Sequence, residues 1–345
     1  MAGLKQKLDP TRMGAGAEKL ERDLCDRIVG QDQAVRQIVR IYQTFLAGMT
    51  TPGRPVGSLL FLGPTGSGKT RTVEAMAESL IGDPRGVVKI DCGEFQHSHE
   101  IAKLIGSPPG YLGHRETHPL LSQEAIDQFH TETVKLSFVL FDEIEKANDA
   151  LWNLLLGIMD KATLTLGDNR RVDFSRAIIF LTSNLGAAEM NALIRPKLGF
   201  GTGAADAKLT EKLAHAGSDA ARRRFTPEFM NRLDTVVTFR PLGEPELQRI
   251  LDIELDAVRA RLSRAAGAVE FSLDDAARQM ILREGTDQRY GARHLKRAIE
   301  RRLVQPLSNL LATGQIQQGD RLVVESAGDR LAFSKEAEGL VSAAA

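Results

Sequence analysis

The 345-residue sequence has no excess of charge of either sign, with 45 Lys and Arg residues against 45 Asp and Glu residues. Proteins that bind nucleic acids usually carry a strongly basic surface, so this balance argues against a nucleic-acid partner. No run approaches the roughly 20 apolar residues that a membrane-spanning helix needs, and Met1 to Pro10 has no apolar core like that of a secretory signal. We therefore expect no membrane partner.

Cysteine is also scarce, since the sequence contains only Cys25 and Cys92. Cys25 falls in a segment whose apolar spacing is helical, and Cys92 follows a short apolar run that is typical of a strand. We expect no disulfide between them, and neither has metal-ligand spacing. A reducing, cytoplasmic compartment fits this pattern best.

Five short apolar runs without polar alternation are spread over the first two thirds of the chain. Such runs predict strands that are buried on both faces, which is typical of a parallel sheet. Segments with helical spacing lie between most of them, for example Thr70–Ile81 and Ala147–Asp160. The alternation predicts an α/β fold with a parallel sheet flanked by helices on both faces. The five runs are Ser58–Leu62, Val87–Asp91, Leu136–Asp142, Ala177–Thr182 and Asp234–Phe239.

The character of the sequence changes after Pro241. We expect a flexible arm over residues 1–15, a large α/β domain over residues 16–241, a small, mainly helical domain over residues 242–336 and a disordered tail over residues 337–345. In the small domain, amphipathic spacing predicts three helices and a turn between two apolar runs predicts a closing hairpin. The helices are Glu244–Ala265, Leu273–Glu284 and Tyr290–Leu311, and the hairpin strands are Arg321–Glu325 and Arg330–Phe333.

A glycine-rich motif with the pattern G-x-x-x-x-G-K-[ST] follows the first apolar run. Its glycines let backbone N–H groups turn toward phosphates, and the next helix presents its positive end to the same anion. We expect Lys69 to contact the β- and γ-phosphates of ATP and Thr70 to bind Mg²⁺. The alternative, a glycine-rich turn that binds nothing, does not explain why the motif joins a strand to a helix. The residues expected to bind ATP here are Gly63, Pro64, Thr65, Gly66, Ser67, Gly68, Lys69 and Thr70.

An acidic pair, Asp142 and Glu143, ends the third apolar run. Carboxylates next to buried strands are costly unless a cation lies beside them, so the pair indicates a metal-dependent site. Asp142 suits a Mg²⁺ site, and Glu143 is placed to act as the general base toward a water that attacks the γ-phosphate. A helix-capping pair is the alternative interpretation, but it leaves the phosphate motif in the same chain unexplained.

These two motifs, Gly63–Thr70 and Val139–Ala147, together resemble the AAA+ module, and specifically the second ATPase module of the Clp family of unfoldases. The resemblance extends from about Ile28 to Phe333. It implies a P-loop AAA+ fold with a parallel five-stranded sheet, followed by a small helical lid domain. It also implies a homo-oligomer, a hexamer in this family.

Four further segments carry the resemblance and imply roles for single residues. Ile28 and Val29 resemble the motif that lies against adenine, and Asn184 resembles the residue that polarises the attacking water. Arg232 resembles the arginine finger that reaches the γ-phosphate on a neighbouring subunit, and Arg293 resembles the sensor arginine of the lid domain. Taken singly, Asn184 could be a helix cap and the arginines ordinary surface residues.

Two loops imply contacts with other proteins. Tyr111, between Pro-Pro-Gly and Leu-Gly, resembles the aromatic pore-loop residue that grips a polypeptide in the axial channel of the ring. Leu198, Gly199 and Phe200 resemble the tripeptide with which some Clp ATPases dock on a ClpP-like peptidase. The alternatives are a tyrosine that pins a turn and a tripeptide that folds back as local core.

The resemblance implies an ATPase that couples hydrolysis of ATP, with Mg²⁺, to the unfolding of protein substrates threaded through a hexameric ring. Two other classes remain open at this point: a DNA-directed AAA+ motor of the helicase or clamp-loader type, and a non-catalytic scaffold gated by nucleotide. The balanced charge disfavours the first class, and the presence of both Glu143 and Arg232 disfavours the second.

The implied role of Tyr111 gives a first prediction. Tyrosine offers a broad apolar face with a polar tip, which suits van der Waals contact with chemically varied chains. Tyr111→Ala should therefore keep ATPase activity and lose unfolding of a tagged model substrate, with Tyr111→Phe as the conservative control. Unchanged unfolding by Tyr111→Ala would restrict Tyr111 to shaping its loop.

Overall fold

The structure, a computed structural model, describes residues 8–107, 118–194, 204–287 and 291–336. Its contacts divide the chain into two compact units. The first contains Met1–Gly63 and Gly68–Arg240, and the second contains Pro64–Ser67 and Pro241–Ala345. Tyr111, Tyr290, the tripeptide Leu198–Phe200 and the predicted tail over residues 337–345 lie outside the described residues.

The first unit alternates strands with helices along the chain. Its strands are β1 (Gly57–Leu62), β2 (Val88–Asp91), β3 (Ser137–Asp142), β4 (Thr163–Thr165), β5 (Arg171–Asp173), β6 (Ala177–Ser183) and β7 (Thr235–Thr238). Its helices are α1 (Ala15–Arg27), α2 (Asp32–Leu46), α3 (Lys69–Ile81), α4 (Ala102–Ile105), α5 (Gln123–Asp127), α6 (Asp149–Lys161), α7 (Ala187–Ile194), α8 (Ala204–Arg224) and α9 (Pro227–Arg232). Short 3₁₀ turns cover Cys92–Glu94, Ser98–Ile101 and Ile144–Lys146.

Five of these strands form the predicted sheet, with the order β2-β3-β6-β1-β7 and parallel pairing throughout. The fold predicted from the five apolar runs is therefore confirmed. The two remaining strands, β4 and β5, pair with each other as a separate antiparallel hairpin. Because all five strands of the main sheet run the same way, their carboxyl ends lie along one edge of the sheet.

Both faces of the main sheet are covered, which explains why its strands lack alternation. Every residue of β1 and β6 is buried. Leu60 and Leu62 face a cluster that includes residues of α6, whereas Leu59 and Phe61 face a cluster that includes residues of α1, α2 and α3. The Phe61 ring lies 4.9 Å from the Phe239 ring and 5.6 Å from the Phe180 ring. Burial of one such side chain contributes about 2–3 kcal/mol.

The second unit is mainly helical, as predicted, and carries a small sheet. Its elements are α10 (Glu244–Ala266), β8 (Glu270–Leu273), α11 (Asp275–Gly285), α12 (Ala292–Ile299), a π-helical turn (Glu300–Val304), α13 (Gln305–Ala312), β9 (Arg321–Ala327) and β10 (Arg330–Lys335). Its core includes Leu251 and Leu255 of α10 and Val324 of β9. The hairpin β9–β10 is present where the sequence predicted it.

Two details of the second unit differ from the sequence prediction. The predicted helix over Leu273–Glu284 begins at Asp275, because Asp274 caps it through the Ala277 N–H at 2.7 Å and Leu273 belongs to β8. β8 pairs in parallel with β9 and makes the hairpin a three-stranded sheet. The predicted single helix that ends near Leu311 contains the π turn just before Pro306, whose ring cannot follow regular α-helical hydrogen bonding.

None of the helices in the described ranges is long and apolar enough to cross a membrane. The two cysteines have no disulfide; Cys25 is exposed and Cys92 is buried. Burial, and then the charges of Asp142 and Asp91, raises the pKa of the Cys92 thiol far above its usual value. Since the thiolate is the nucleophile, Cys92 should be inert in the folded protein.

Thiol titration tests this arrangement. Because its pKa is raised, Cys92 stays protonated as pH passes through the ordinary range for a thiol, so the native protein at pH 8 should react rapidly only at Cys25. The second thiol should react after denaturation with guanidinium, measured with a chromogenic disulfide reagent. Cys25→Ser should remove the rapid phase; a rapid phase that persists in this variant would contradict the burial of Cys92.

Candidate functional site

The phosphate motif begins where β1 ends, and its first glycine is required by packing. Gly63 has φ of 149°, and a Cβ placed on it would lie 2.5 Å from the carbonyl oxygen of Phe239. The Gly63 N–H donates to the Ser183 carbonyl at 3.2 Å, so the chain is still tied to β6 as it leaves the sheet. Gly68, with φ of 102°, turns the chain into α3. The motif thus joins a strand to a helix, as expected.

Lys69, the first residue of α3, is buried, and its ammonium group has defined partners. Nζ donates to the Gly63 carbonyl at 2.6 Å and to Oδ1 of Asn184 at 2.9 Å. A buried ammonium is stable only when such acceptors surround it. The two contacts fix the cation at the point where β1 and β6 both end, within the loop that the motif predicts to surround phosphate.

Thr70 and Asp142 form the candidate metal-binding pair. The Thr70 hydroxyl lies 3.4 and 3.5 Å from the two carboxylate oxygens of Asp142. Hydroxyl and carboxylate oxygens are hard ligands, and Mg²⁺ typically takes one or two from the protein and the rest from water and phosphate. In the described ranges, no cluster of three or more His, Cys, Asp or Glu residues could hold a metal by itself. The hydroxyl of Thr70 and the carboxylate of Asp142 fit the oxygen donors that Mg²⁺ takes from proteins.

Thr182 links the two acidic residues, and sequence analysis gave it no role. Its hydroxyl donates to Oδ1 of Asp142 and accepts the Glu143 N–H at 3.1 Å. One hydroxyl provides one donor and two acceptor positions, so Thr182 can satisfy both contacts at once. The residue is fully buried in β6, next to β3. The sequence held one indication of this role, since Thr182 is the last residue of the predicted strand Ala177–Thr182.

Glu143 adopts a conformation that is uncommon for residues other than glycine. Its φ and ψ are 57° and 49°, in the left-handed region, which costs on the order of 1–3 kcal/mol. The surrounding contacts maintain it: Oε1 accepts from Nδ2 of Asn184 at 3.2 Å, and the carboxylate forms an ion pair with Lys146. The hydrogen bond to Glu143 raises the pKa of Lys146 above its usual value. Left-handed residues concentrate at functional sites.

Asn184 is the residue that joins the parts of the cluster. Its side chain accepts from Lys69 and donates to Glu143, while its backbone N–H donates to Oε1 of Glu145 at 3.0 Å. A helix-capping role alone does not require these side-chain contacts. The structure thus brings together six predicted site residues within the first unit: Gly63, Lys69, Thr70, Asp142, Glu143 and Asn184.

Arg232 lies at the opposite edge of the same sheet. Its carbonyl oxygen is 3.2 Å from the Ser58 hydroxyl, and Ser58 is near the amino end of β1, whereas Gly63 follows the carboxyl end. A six-residue strand spans about 20 Å. An arginine side chain cannot cover that distance, so Arg232 does not reach the Lys69 cluster of its own chain.

The remaining predicted site residues occupy separate positions. Ile28 and Val29 lie in the short connection from α1 to α2, and both are buried. The side chain of the nearby Gln31 donates to the carbonyl of Arg240 at 2.9 Å and accepts the Arg240 N–H at 3.0 Å. Arg293 lies in the first turn of α12. Its neighbour Ala292 donates its N–H to the carbonyl of Gly66 at 3.1 Å, and both of these residues belong to the second unit.

A parallel sheet with a phosphate loop after β1, an acidic pair after β3 and a polar residue after β6 defines a P-loop ATPase of the α/β class. The sequence profile of the AAA domain (Cdc48 subfamily) matches residues 54–236, and the C-terminal, D2-small domain of ClpB protein matches residues 242–324. The chain belongs to the AAA family, as a Clp-type module.

Curated relatives agree with this assignment. The chain is 39% identical over 318 residues to chaperone protein ClpB of Meiothermus ruber and 36% identical over 318 residues to that of Rhodopirellula baltica, covering 91% of this chain in each case. It is 36% identical over 317 residues to the ClpC ATP-binding subunit of the Clp protease of Staphylococcus saprophyticus, again covering 91% of this chain.

The chain spans 34%, 35% and 37% of the R. baltica, M. ruber and S. saprophyticus relatives, so about a third of each. A solved structure, the closed state of Hsp104 with ATPγS and FITC casein, is similar with a TM-score of 0.75 and 27% identity. That match covers 92% of this chain and 51% of the other. The resemblance to the second Clp ATPase module is therefore confirmed.

The dual contact of Thr182 can be tested through stability. Thr182→Val removes the hydroxyl at nearly constant volume and leaves the Glu143 N–H and an Asp142 oxygen without this partner, which should lower the free energy of unfolding by about 1–3 kcal/mol. Urea unfolding followed by circular dichroism measures the change. Thr182→Ser keeps the hydroxyl and should recover most of the loss; equal losses in the two variants would assign the effect to packing.

Proposed function

We propose that this chain is an ATP-hydrolysing module that remodels protein substrates as part of a ring. The observation that carries the proposal is the hydrogen-bonded series Lys69–Asn184–Glu143, beside Thr70 and Asp142, at the carboxyl edge of the sheet. This cluster supports the proposed roles of Lys69 as the cation for phosphate, of Thr70 and Asp142 as the ligands of Mg²⁺ and of Glu143 as the base.

The reaction follows from the roles of these groups. ATP and water give ADP and phosphate, and the nucleotide phosphates lie in the Gly63–Thr70 loop against Lys69. Thr70 and Asp142 hold Mg²⁺, which when bound neutralises charge on the phosphates. Glu143 accepts a proton from the attacking water, and Asn184 holds the Glu143 carboxylate through its Nδ2–H. Ile28, Val29 and Arg293 complete nucleotide binding in this proposal.

Hydrolysis is proposed to need a second subunit. Arg232 lies about one strand length from the Lys69 cluster of its own chain, at the other edge of the sheet. If it stabilises transition-state charge, it does so at the site of a neighbour, which makes turnover depend on assembly. An oligomeric ring, a hexamer by resemblance, satisfies this requirement.

Protein substrates are supported by what the similar proteins are called. The ClpB relatives are chaperones, and the Hsp104 structure includes FITC casein. Tyr111 is the proposed contact with a threaded chain. The ClpC relative, an ATP-binding subunit of a protease, supports Leu198–Phe200 as a docking segment for a ClpP-like peptidase as the finer proposal. A cytoplasmic location stays a prediction from the cysteine content.

The role of Glu143 is directly testable. Glu143→Gln keeps the shape of the side chain and one acceptor oxygen but removes the base, so hydrolysis should fall at least about 100-fold. Phosphate release measures turnover, and titration with a fluorescent ATP analogue should show retained binding.

Asp91→Asn is the matched control, because Asp91 lies opposite Asp142 in the register of β2 and β3 but is exposed. It should hydrolyse ATP near the wild-type rate. Turnover by Glu143→Gln within a few-fold of wild type would rule out Glu143 as the base.

A further inference from the structure

The guanidinium of Arg232 is held by a carboxylate from another helix. Nε lies 2.7 Å from Oδ1 of Asp160, in the last turn of α6. The Nε atom is buried and its N–H is not aligned with that oxygen, so the contact is an ion pair without a linear hydrogen bond. The Arg232 side chain as a whole is 39% exposed.

The backbone of Arg232 is fixed at the same place. Arg54 donates from Nη2 to the Arg232 carbonyl at 3.4 Å and from Nε to the Met159 carbonyl at 3.3 Å, which ties the end of α9 to the end of α6. The Ser58 hydroxyl lies 3.2 Å from the same Arg232 oxygen. The start of α9 is set by Thr226, whose hydroxyl accepts the Phe229 N–H at 3.2 Å. On this fixed backbone, the Arg232 side chain forms its ion pair with Asp160.

We propose that Asp160 is a positioning residue for hydrolysis at the neighbouring site, because it orients the Arg232 guanidinium toward that site. The inference rests on the proposed function, in which Arg232 acts in trans. Asp160 touches neither the Lys69 cluster nor its partners Asn184 and Glu143 in the described structure, so its effect on the chemistry passes through Arg232.

The physical reason is pre-organisation. A free arginine side chain samples many rotamers, and ordering it in the transition state raises the barrier. The ion pair with Asp160, which is formed at Nε, limits the rotamers of the Arg232 side chain. In this proposal the two Nη groups contact the phosphate of the neighbouring site. These two nitrogens are the pair that can contact two oxygens of one phosphate group.

The test compares kcat with nucleotide affinity in the full chain. Asp160→Asn should lower kcat for ATP about ten-fold or more, because moving a catalytic group by about 1 Å can lower the reaction rate up to about 100-fold. The Kd for a fluorescent ADP analogue should change less than about two-fold, since Asp160 is remote from the cis nucleotide. Asp160→Glu should recover part of kcat. Asp149→Asn, which removes a carboxylate from the other end of α6, is the matched control and should leave kcat unchanged.

A double-mutant cycle separates positioning from general destabilisation. If Asp160 acts through Arg232, Arg232→Ala and the double variant Arg232→Ala with Asp160→Asn should have the same low kcat. A purely structural defect would lower kcat further in the double variant. Mixing Asp160→Asn with Glu143→Gln subunits should raise turnover per Asp160→Asn subunit, because the Glu143→Gln subunits supply an intact Arg232.

The outcomes distinguish the positioning role of Asp160 from the proposed action of Arg232 at a neighbouring site. A low kcat for Arg232→Ala with a normal or raised kcat for Asp160→Asn would overturn the role of Asp160 and leave the trans arginine in place. A wild-type kcat for Arg232→Ala would overturn both. If Asp160→Asn unfolds, the kcat of Asp160→Glu, measured alone and after mixing with Glu143→Gln subunits, decides between the same outcomes.

Discussion

Parallel pairing of β1, β3 and β6 is the constraint on which the site depends. Three strands that run the same way end at the same edge, so residues 63, 142 and 184, far apart in the chain, become neighbours. The contacts at that edge are mutually dependent. Asn184 holds both Lys69 and Glu143, while Thr182 holds Asp142 and the backbone of Glu143. Glu143 can keep its left-handed backbone because these partners surround it.

The same sheet separates the two halves of the proposed chemistry. The base and the phosphate loop lie at its carboxyl edge, and Arg232 lies at its amino edge. Helix α6 connects these edges. It begins shortly after the 3₁₀ turn that follows Glu143, and its last residues are Asp160 and Lys161. A 13-residue helix is about 20 Å long, close to the length of the strands beside it. In the proposed mechanism, Glu143 and Arg232 of one chain therefore act on different nucleotides.

Much of the fold was predictable because local patterns and the global fold agree. The five uninterrupted apolar runs predicted the parallel sheet, and the bounds of its strands differ from the prediction by no more than one residue at either end. The prediction was wrong at two places in the second unit, one decided by a distant partner and one by a nearby proline. β8 has four residues and is a strand only because β9 lies beside it, and the π turn reflects how Pro306 fits into an otherwise helical stretch.

The sequence by itself determined the chemical identity of the site. The glycines, Lys69, Thr70 and the acidic pair form a pattern that few other functions require, and the motif carries its own local geometry. Only the tertiary structure decided which other side chains form hydrogen bonds or ion pairs with these site residues and with Arg232. The sequence around each of these supporting residues is ordinary. Thr182 and Asp160 act through contacts with segments far away in the chain. Lys146 pairs with Glu143, three residues away, whose backbone is in the left-handed region. A hydrogen bond or ion pair of this kind has no periodicity in sequence, because it is fixed by where strands and helices end in space.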